Sequence, residues 1–172
     1  KPCRVIHNGI DLVSYTPDGD EIPPVDRFRI LMVEGHLSGH YSRGLDVATQ
    51  LTVLLQNVLD KPVELSIAGE VPQSLQTRYQ EKFPGLLINW VGIVPQGQIP
   101  ALDRSAHVLY SADLNAACPN SVIEALACGL PVLAFDTGAL SELVTSGAGS
   151  VVPYGGDHWK LDPPDIPSLA QA

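Results

Sequence analysis

The stretch Asn115–Glu142 constrains the fold more than any other part of this chain. Its pattern predicts a loop, then a short helix that carries Glu124 and ends at Gly129, then a buried strand over Pro131–Phe135. A second glycine, Gly138, is placed to open the next helix. Open α/β sheets are built from such units and hold nucleotides in the polar loops along one edge. The stretch therefore favours a nucleotide-binding α/β protein.

The same alternation of apolar strand segments and helical spacings runs along the rest of the chain. The predicted strands are Phe28–Val33, Val63–Ala68, Leu86–Val91, His107–Tyr110, Pro131–Phe135 and Ser150–Val152, the first of them followed by a turn at Gly35. The predicted helices are Gly44–Leu59, Pro72–Phe83, Gln98–Ser105, Ala139–Thr145 and two that begin near Asn120 and Ser168. Repeated β-α units predict an α/β fold, with a Rossmann-like parallel sheet of about six strands and helices on both faces.

Size and charge narrow the possible partners. The chain has 172 residues, of which 45% are hydrophobic and 17% are charged, so we expect a single globular domain over residues 1–172. The net charge of -9 disfavours nonspecific binding to nucleic acid or to an anionic membrane surface. An anionic ligand would have to be held locally, by backbone amides and a few selected cationic side chains.

The sequence shows neither an apolar run of membrane-spanning length nor a signal peptide, and it begins as though cut from a longer protein. Cys3, Cys118 and Cys128 are odd in number and spaced unlike a disulfide framework or a metal cluster. Cys118 and Cys128 are expected to be small buried side chains. We therefore expect a reducing, cytoplasmic setting and no bound metal.

Residues from Glu124 onward match a family pattern in order. They are Glu124, Ala125, Ala127, Cys128, Gly129, Pro131, Val132 and Ala134, followed by Gly138 and Glu142. This run resembles the E-A-x-A-C-G-x-P-V-x-A pattern in the C-terminal, donor-binding half of GT-B glycosyltransferases, the large retaining family of group 1. The resemblance implies an NDP-sugar substrate, hexose transfer with retention, and no cofactor or metal. It also implies an N-terminal acceptor domain, absent from this sequence, through which the protein could lie peripheral to a membrane.

Glu124 is the sharpest candidate among the site residues. In the resembling family the equivalent Glu accepts hydrogen bonds from the ribose hydroxyls of the sugar nucleotide, and a carboxylate offers two oxygens to adjacent hydroxyls. The plainer interpretation is an ordinary exposed acid near a helix start, where the helix dipole favours negative charge. The resemblance makes Glu124 and Arg43 the candidate catalytic residues.

The start of the helix that carries Glu124 is the expected diphosphate site. Asn120 is a good N-cap residue, which would leave the backbone amides of Ser121 and Val122 for the phosphates. Pro119 removes one amide donor from the same turn. The resemblance places the nucleotide base near the loop Gly92–Pro95, with contacts made largely through the backbone.

The loop after the first strand is the expected source of cationic contacts. Gly35 allows a sharp turn at the carboxyl end of this strand, where ligands lie in open sheets. The resemblance assigns phosphate contacts to His36, where the family has Arg, and to Arg43, where the family has Lys. An Arg can hold a diphosphate through two parallel hydrogen bonds. The plainer interpretation of Arg43 is a solvated side chain at a helix start.

One acid of the family pattern is absent. The family carries a carboxylate eight positions before Glu124, where this chain has Ala116, and the nearest acid is Asp113. A noncatalytic nucleotide-binding module is therefore an alternative, and a sugar-nucleotide epimerase of the same fold is another. A dehydrogenase lacks support because no G-x-G-x-x-G is present. A receiver domain lacks support because only Glu34 is acidic at the end of the first strand.

The segment Asn8–Asp11 and the two tryptophans are not assigned a role in ligand binding. The segment Asn8–Asp11 resembles the N-G-V/I-D entry into the second GT-B domain, although Asn-Gly alone indicates only a turn. The chain therefore resembles one of the two domains that the family requires. Trp90 and Trp159 are expected to pack against the core.

Overall fold

The computed structural model describes residues 8–37, 42–145 and 147–172. Its strands are β1 (Phe28–His36), β2 (Val63–Glu70), β3 (Leu87–Gly92), β4 (Val108–Tyr110), β5 (Val132–Phe135) and β6 (Gly149–Val152). Its helices are α1 (Ser42–Gln56), α2 (Gln73–Lys82), α3 (Ile99–Arg104), α4 (Asn120–Ala127), α5 (Leu140–Leu143) and α6 (Ile166–Gln171). A turn of 3₁₀ helix over Gln96–Gln98 leads into α3.

The strands in the described part of the chain form one sheet in the order β3-β2-β1-β4-β5-β6, and every neighbouring pair is parallel. The chain runs outward from β1 to β3 and then returns to the other side of β1 with β4. At this reversal of strand order the connections diverge and open a crevice at the carboxyl ends of β1 and β4. The predicted Rossmann-like α/β fold is confirmed.

Helices cover both faces of the sheet. Successive residues of β1 point to opposite faces, so this strand supplies apolar side chains to the helices on each side. Ile30 and Met32 pack with Leu45 of α1 in one core, whereas Leu31 packs with Val122 of α4 in the other. All five side chains are fully buried, and each contributes about 1.5–3 kcal/mol relative to exposure. These two cores hold the starts of α1 and α4 against the carboxyl edge of the sheet.

An ion pair between Arg29 and Glu64 joins β1 and β2 near their amino ends, at the opposite end of the sheet from the crevice. Arg29 and Glu64 are register partners on β1 and β2, with 2.7 Å between Nε and Oε1. Burial acts to raise the pKa of Glu64, but hydrogen bonds from Ser66 and Arg29 hold that pKa below its ordinary value. The pair therefore remains ionised at neutral pH and supports the fold rather than the crevice.

Strand β1 is longer than its sequence predicts. The expected turn at Gly35 is wrong, because β1 continues through Gly35 to His36 and pairs there with Glu70 of β2. A register irregularity between Val33 and His36 absorbs the change of direction. The His36 ring also lies 3.0 Å from the Glu70 carboxylate, measured between Nδ1 and Oε2. Pairing with β2 thus extends a strand that hydrophobicity alone would end earlier.

The structure also differs from the sequence-based predictions at the starts of α6 and α2 and at Trp159. Helix α6 begins at Ile166, before the predicted Ser168, because the Asp165 side chain caps it by accepting the Ser168 amide at 3.1 Å. Pro72 is the N-cap of α2 and lies outside its first turn. The packing role expected for Trp159 is wrong, since this side chain is 75% exposed.

Membrane, cysteine and metal features can be stated for residues 8–37, 42–145 and 147–172. Within them no helix has both the length and the apolarity needed to cross a bilayer. Cys118 and Cys128 are free thiols; Cys128 is buried as expected, Cys118 only partly, and the prediction for Cys3 lies outside the described residues. In those same ranges no three His, Cys, Asp or Glu side chains are grouped to hold a metal ion.

Candidate functional site

A cavity of about 370 Å³ lies beside the first turns of α4, and we name it the Glu124 cavity. It is lined by Asn8, Gly9, Ile10, Asp11, Tyr15, Gln96, Asn120, Ile123 and Glu124. Three separated parts of the sequence meet here: the segment before β1, the turn after β3, and α4 itself. Its volume falls within the range of small-molecule sites.

Glu124 presents a carboxylate to this cavity. The Tyr15 hydroxyl donates a hydrogen bond to Glu124 Oε1 at 3.2 Å. Within the described residues Glu124 Oε2 accepts no hydrogen bond and is left for a ligand donor. Partial burial raises the pKa of Glu124, and the Tyr15 hydrogen bond partly offsets that rise. The plainer interpretation as a freely solvated acid therefore does not describe this residue.

The start of α4 differs from its prediction. Pro119 occupies the N-cap and Asn120 is the first helical residue, so the expected N-cap role of Asn120 is wrong. The Asn120 side chain instead accepts a hydrogen bond from Asn8 Nδ2, with 3.0 Å between the heavy atoms. This contact ties the segment before β1 to the first turn of α4, and the wall of the Glu124 cavity is built from both.

The backbone amides at this helix start remain available. The first bond along α4 runs from the amide of Ile123 to the carbonyl of Pro119, so the amides of Asn120, Ser121 and Val122 have no acceptor within the helix. Only Asn120 of these three lines the Glu124 cavity, and the Val122 side chain is fully buried in the core. The amides of Ser121 and Val122 are thus free within the helix, but these two residues are not part of the cavity lining.

A buried acid lies near Glu124. Asp103 of α3 is 1% exposed, and neither of its oxygens makes a hydrogen bond within the described residues. Burial, and then the charge of Glu124, raise the pKa of Asp103 to about 7. Cys128 lies beside it, and burial raises the pKa of that thiol to about 11. At neutral pH Asp103 is therefore about half protonated and Cys128 is a neutral thiol, which limits the negative charge behind Glu124.

The loop between β4 and α4 fixes the position of Ala116. The Ala116 carbonyl accepts a hydrogen bond from the Ala139 amide, with 2.9 Å between the heavy atoms. Gly138 has a φ of 58°, and a side-chain carbon there would collide with the Ala116 backbone. This loop therefore packs tightly on the start of α5. Asp113, the nearest acid to Ala116, lines a different cavity from Glu124 and does not replace the absent carboxylate.

Arg43 lies in that second cavity, which has a volume of about 240 Å³ and which we name the Glu34 cavity. Its lining consists of Glu34, Arg43, Gly44, Val47, Tyr110, Ala112, Asp113, Leu114, Phe135, Tyr154, Leu161 and Pro164. Arg43 is exposed at its rim, where Nη1 donates to the carbonyl of Leu161. The structure thus places the two candidate catalytic residues, Arg43 and Glu124, in separate cavities.

The remaining predicted contacts lie outside both cavities. Gly35 and His36 lie at the end of β1, and the His36 ring is turned to Glu70. Neither residue lines the Glu124 cavity or the Glu34 cavity. The loop that connects His36 to α1 includes residues 38–41, which lie outside the described residues.

Two cavity residues were missed by sequence reasoning. Tyr15 is buried and lies far from Glu124 in sequence, and no spacing rule connects them. Gln96 follows the loop Gly92–Pro95 that was expected near the base, so its position one residue beyond that loop was the available signal. Both are polar side chains beside Glu124, and both add hydrogen-bonding capacity to the cavity.

The fold agrees with what comparison with known proteins shows. The sequence profile of the family described as "Glycosyl transferases group 1" matches residues 29–172. The chain belongs to this family, and it has the Rossmann-like fold of the domain that GT-B glycosyltransferases carry at their C-terminus.

A curated relative in Mycobacterium tuberculosis is a GDP-mannose-dependent alpha-(1-6)-phosphatidylinositol dimannoside mannosyltransferase. It is 32% identical to this chain over 126 residues, which cover 71% of this chain and 31% of the relative. The chain thus spans about a third of the length of the curated relatives it matches.

Solved structures share the fold at low sequence identity. The C-terminal domain of the group 1 glycosyl transferase LpcC from Francisella tularensis has a TM-score of 0.64 and 18% identity, covering 95% of this chain and 85% of that one. AviGT4, a glycosyltransferase of avilamycin A biosynthesis, has a TM-score of 0.63 and 20% identity, covering 99% and 52%. Sucrose-phosphate synthase from Thermosynechococcus elongatus has a TM-score of 0.66 and 21% identity, covering 95% and 40%.

Proposed function

We propose that this chain is the donor-binding domain of a retaining glycosyltransferase that moves a hexose from an NDP-sugar to an acceptor. The observation that carries the proposal is the Glu124 cavity. It brings together Glu124 and the start of α4, which the resemblance assigns to ribose and phosphate, with Gln96, which follows the loop Gly92–Pro95 expected near the base. The Mycobacterium relative uses GDP-mannose, so GDP-mannose is the first donor to test.

The proposed binding mode follows from the chemistry of each group. Glu124 Oε2 accepts a hydrogen bond from a ribose hydroxyl, while Tyr15 holds the other carboxylate oxygen in place. The amides of Asn120, Ser121 and Val122 face the diphosphate at the positive end of the helix dipole. A hydrogen bond to a charged group contributes about 1.5–3 kcal/mol, enough for Glu124 to dominate the affinity.

The proposed mechanism is electrostatic. The nucleoside diphosphate gains negative charge as the bond to the hexose breaks, and amides fixed at the start of α4 stabilise that charge without reorganising. Arg43 adds a positive charge once it leaves the Leu161 carbonyl. We propose that these groups replace a metal ion and that no cofactor takes part.

The remaining parts of the proposal concern the longer protein. The acceptor site lies on an N-terminal domain, the protein is cytoplasmic, and any membrane association is made through that domain. The 172-residue chain alone is expected to bind nucleotide weakly and to transfer no sugar. Measured transferase turnover from this chain alone would contradict that expectation.

The binding proposal is tested by a thermal-shift screen with GDP, UDP, GDP-mannose and UDP-glucose. One nucleotide should raise the melting temperature of the chain, since a ligand that binds only the folded state stabilises it. Glu124→Gln should remove the shift, while the isosteric Glu81→Gln, an exposed acid on α2, should retain it. Equal shifts in both variants would refute Glu124 as the contact.

A noncatalytic nucleotide-binding module is the second candidate, and Ala116 favours it. The position that the family pattern gives to a carboxylate holds a methyl group, and Asp113 faces the other cavity. Tight binding of an NDP-sugar by the full-length protein, with neither transfer nor hydrolysis of the sugar, would support this candidate. Product formation would exclude it.

A further inference from the structure

The Glu34 cavity differs chemically from any phosphate site. We propose that it binds a primary ammonium group, carried by an amino sugar or by an aliphatic polyamine. The inference does not rest on the proposed function, because the Glu34 cavity and the Glu124 cavity share no lining residue. Arg43, proposed above as a phosphate contact, lies at the rim of the Glu34 cavity and is not used to hold the ammonium group.

Three oxygen-bearing side chains in the Glu34 cavity can accept hydrogen bonds from a ligand. The carboxyl groups of Glu34 and Asp113 line the cavity and accept no hydrogen bond in the described part of the chain. Tyr110 lines it as well, is only 3% exposed, and its hydroxyl has no hydrogen-bond partner among the described residues. An ammonium group carries three donors and no acceptor, which matches these three oxygen-bearing side chains.

The hydrogen-bond donors Tyr154 and Arg43 beside these acids are already engaged elsewhere. The Tyr154 hydroxyl donates to the Asp162 carbonyl at 2.7 Å, and Arg43 donates at the rim to the Leu161 carbonyl. Tyr154, which could donate a hydrogen bond to the acids, and Arg43, which could neutralise their charge, are thus both directed to backbone carbonyls. A phosphate would meet two acidic groups in this cavity and be repelled.

Aromatic rings form part of the wall of the Glu34 cavity. Tyr110, Phe135 and Tyr154 all line the cavity, and the rings of Phe135 and Tyr154 meet edge to face with centroids 5.3 Å apart. Aromatic faces attract cations, and ammonium groups are commonly bound between such rings and a carboxylate. A volume of about 240 Å³ accommodates an ammonium group with a few carbons or one sugar ring.

Topology explains why the acids meet. Glu34 lies near the end of β1 and Asp113 follows β4, the strand that pairs with β1. The start of α1 closes over them because residue 44 is Gly, where a side-chain carbon would lie 2.6 Å from the Ala112 methyl. Burial, and then the charge of Asp113, raise the pKa of Glu34 to about 7. A positively charged ammonium ligand would offset the repulsion between the Glu34 and Asp113 carboxylates.

The test uses putrescine, with 1,4-butanediol as its uncharged counterpart, and glucosamine, with glucose as its counterpart. Calorimetry and amide NMR are run at about pH 7 on the 172-residue chain. We expect putrescine or glucosamine to bind and to shift the amide resonances of Ala112, Asp113 and Leu114, while the uncharged counterparts do neither. Tighter binding of putrescine would identify the ligand as a polyamine, and tighter binding of glucosamine would identify it as an amino sugar.

Variants locate the binding. Glu34→Gln and Asp113→Asn should each weaken amine binding by about tenfold, and Tyr110→Phe by a few-fold. Glu81→Gln removes the same charge from an exposed position and should leave binding unchanged. An equal loss in Glu81→Gln would assign the binding to nonspecific attraction by an acidic chain and would overturn the proposal.

A pH series supplies a readout that a folding defect cannot imitate. Putrescine stays protonated, so its affinity should fall about tenfold from pH 8 to pH 6 as Glu34 takes up a proton. The titratable or charged groups that line the cavity with Glu34 are Asp113, Tyr110, Tyr154 and Arg43. Affinity independent of pH, absence of amine binding, or binding that appears only in Arg43→Gln would each overturn the proposal.

Discussion

The two cavities at the carboxyl edge of the sheet show how the surroundings of a carboxylate decide what it can bind. Glu124 is held by a protein donor, Tyr15, and lies one turn inside a helix whose first amides are unpaired within the helix. Glu34 and Asp113 have no such donor in the described residues and are surrounded by aromatic rings. The Glu124 cavity therefore suits a neutral ribose beside an anionic diphosphate, whereas the Glu34 cavity suits a cation.

The largest effect should come from exchanging one acid in each cavity. Glu124→Gln should weaken nucleoside diphosphate binding by about 10–100-fold, because a charge-assisted hydrogen bond to ribose is replaced by a neutral one. Glu34→Gln should leave that affinity within about twofold, since no nucleotide contact is assigned to it. Calorimetry with both variants checks the difference. Equal losses would show that the two cavities form one site.

The next effect concerns stability against pH. The pKa of Glu34 is raised by burial in the folded chain, so folding favours the protonated acid, and the contribution of Glu34 to the free energy of unfolding should fall as pH rises from about 4.5 to about 7. Glu34→Gln should remove much of this decline and stabilise the protein at about pH 8 by roughly 1–2 kcal/mol. Urea denaturation of both proteins across this range is the measurement. A difference in the free energy of unfolding between Glu34→Gln and wild type that does not change with pH would contradict the assignment.

The fold could be predicted from the sequence because its determinants are local. Alternating apolar segments gave all six strands within a few residues, and Gly129, with a φ of 77°, follows α4 as expected. The error at Gly35 arose because pairing with Glu70 on a neighbouring strand extends β1. Such pairing depends on tertiary contacts that a window of residues does not contain.

The site was less predictable because its contacts join distant segments. Glu124 was found through a pattern of neighbouring residues. Tyr15, which donates a hydrogen bond to Glu124, is 109 residues away in the sequence, so no local pattern links the two. Asn120 was expected to cap α4, but Asn8 occupies its side chain. The grouping of Glu34 with Asp113 follows from the pairing of β1 with β4, which only the strand order reveals.

A smaller effect should distinguish the support of Glu124 from its direct contact. Tyr15→Phe keeps the ring but removes the hydroxyl that donates to Oε1, so nucleotide affinity should fall by only about 2–10-fold. Loss of this hydrogen bond should also raise the pKa of Glu124 further and move the acidic limb of the binding profile to higher pH. A binding titration against pH checks both effects. An unchanged acidic limb would show that Tyr15 does not act on Glu124.

The smallest effect is expected from Arg43. Its guanidinium is exposed and lies at the rim of the Glu34 cavity, so solvent screens its charge. Arg43→Gln should weaken binding of a nucleoside diphosphate by a few-fold and leave binding of the free nucleoside unchanged, because only the phosphates are affected. Paired titrations with GDP and guanosine, or UDP and uridine, measure the difference. Equal losses for both ligands would place Arg43 away from the phosphates.

The most direct test of the central claim is a crystal structure of the chain with the nucleoside diphosphate that stabilises it most. We expect a ribose hydroxyl within hydrogen-bond reach of Glu124 Oε2 and phosphate oxygens against the amides of Asn120, Ser121 and Val122. A nucleotide seated in the Glu34 cavity, or a Glu124 carboxylate turned to solvent beside an empty helix start, would contradict it.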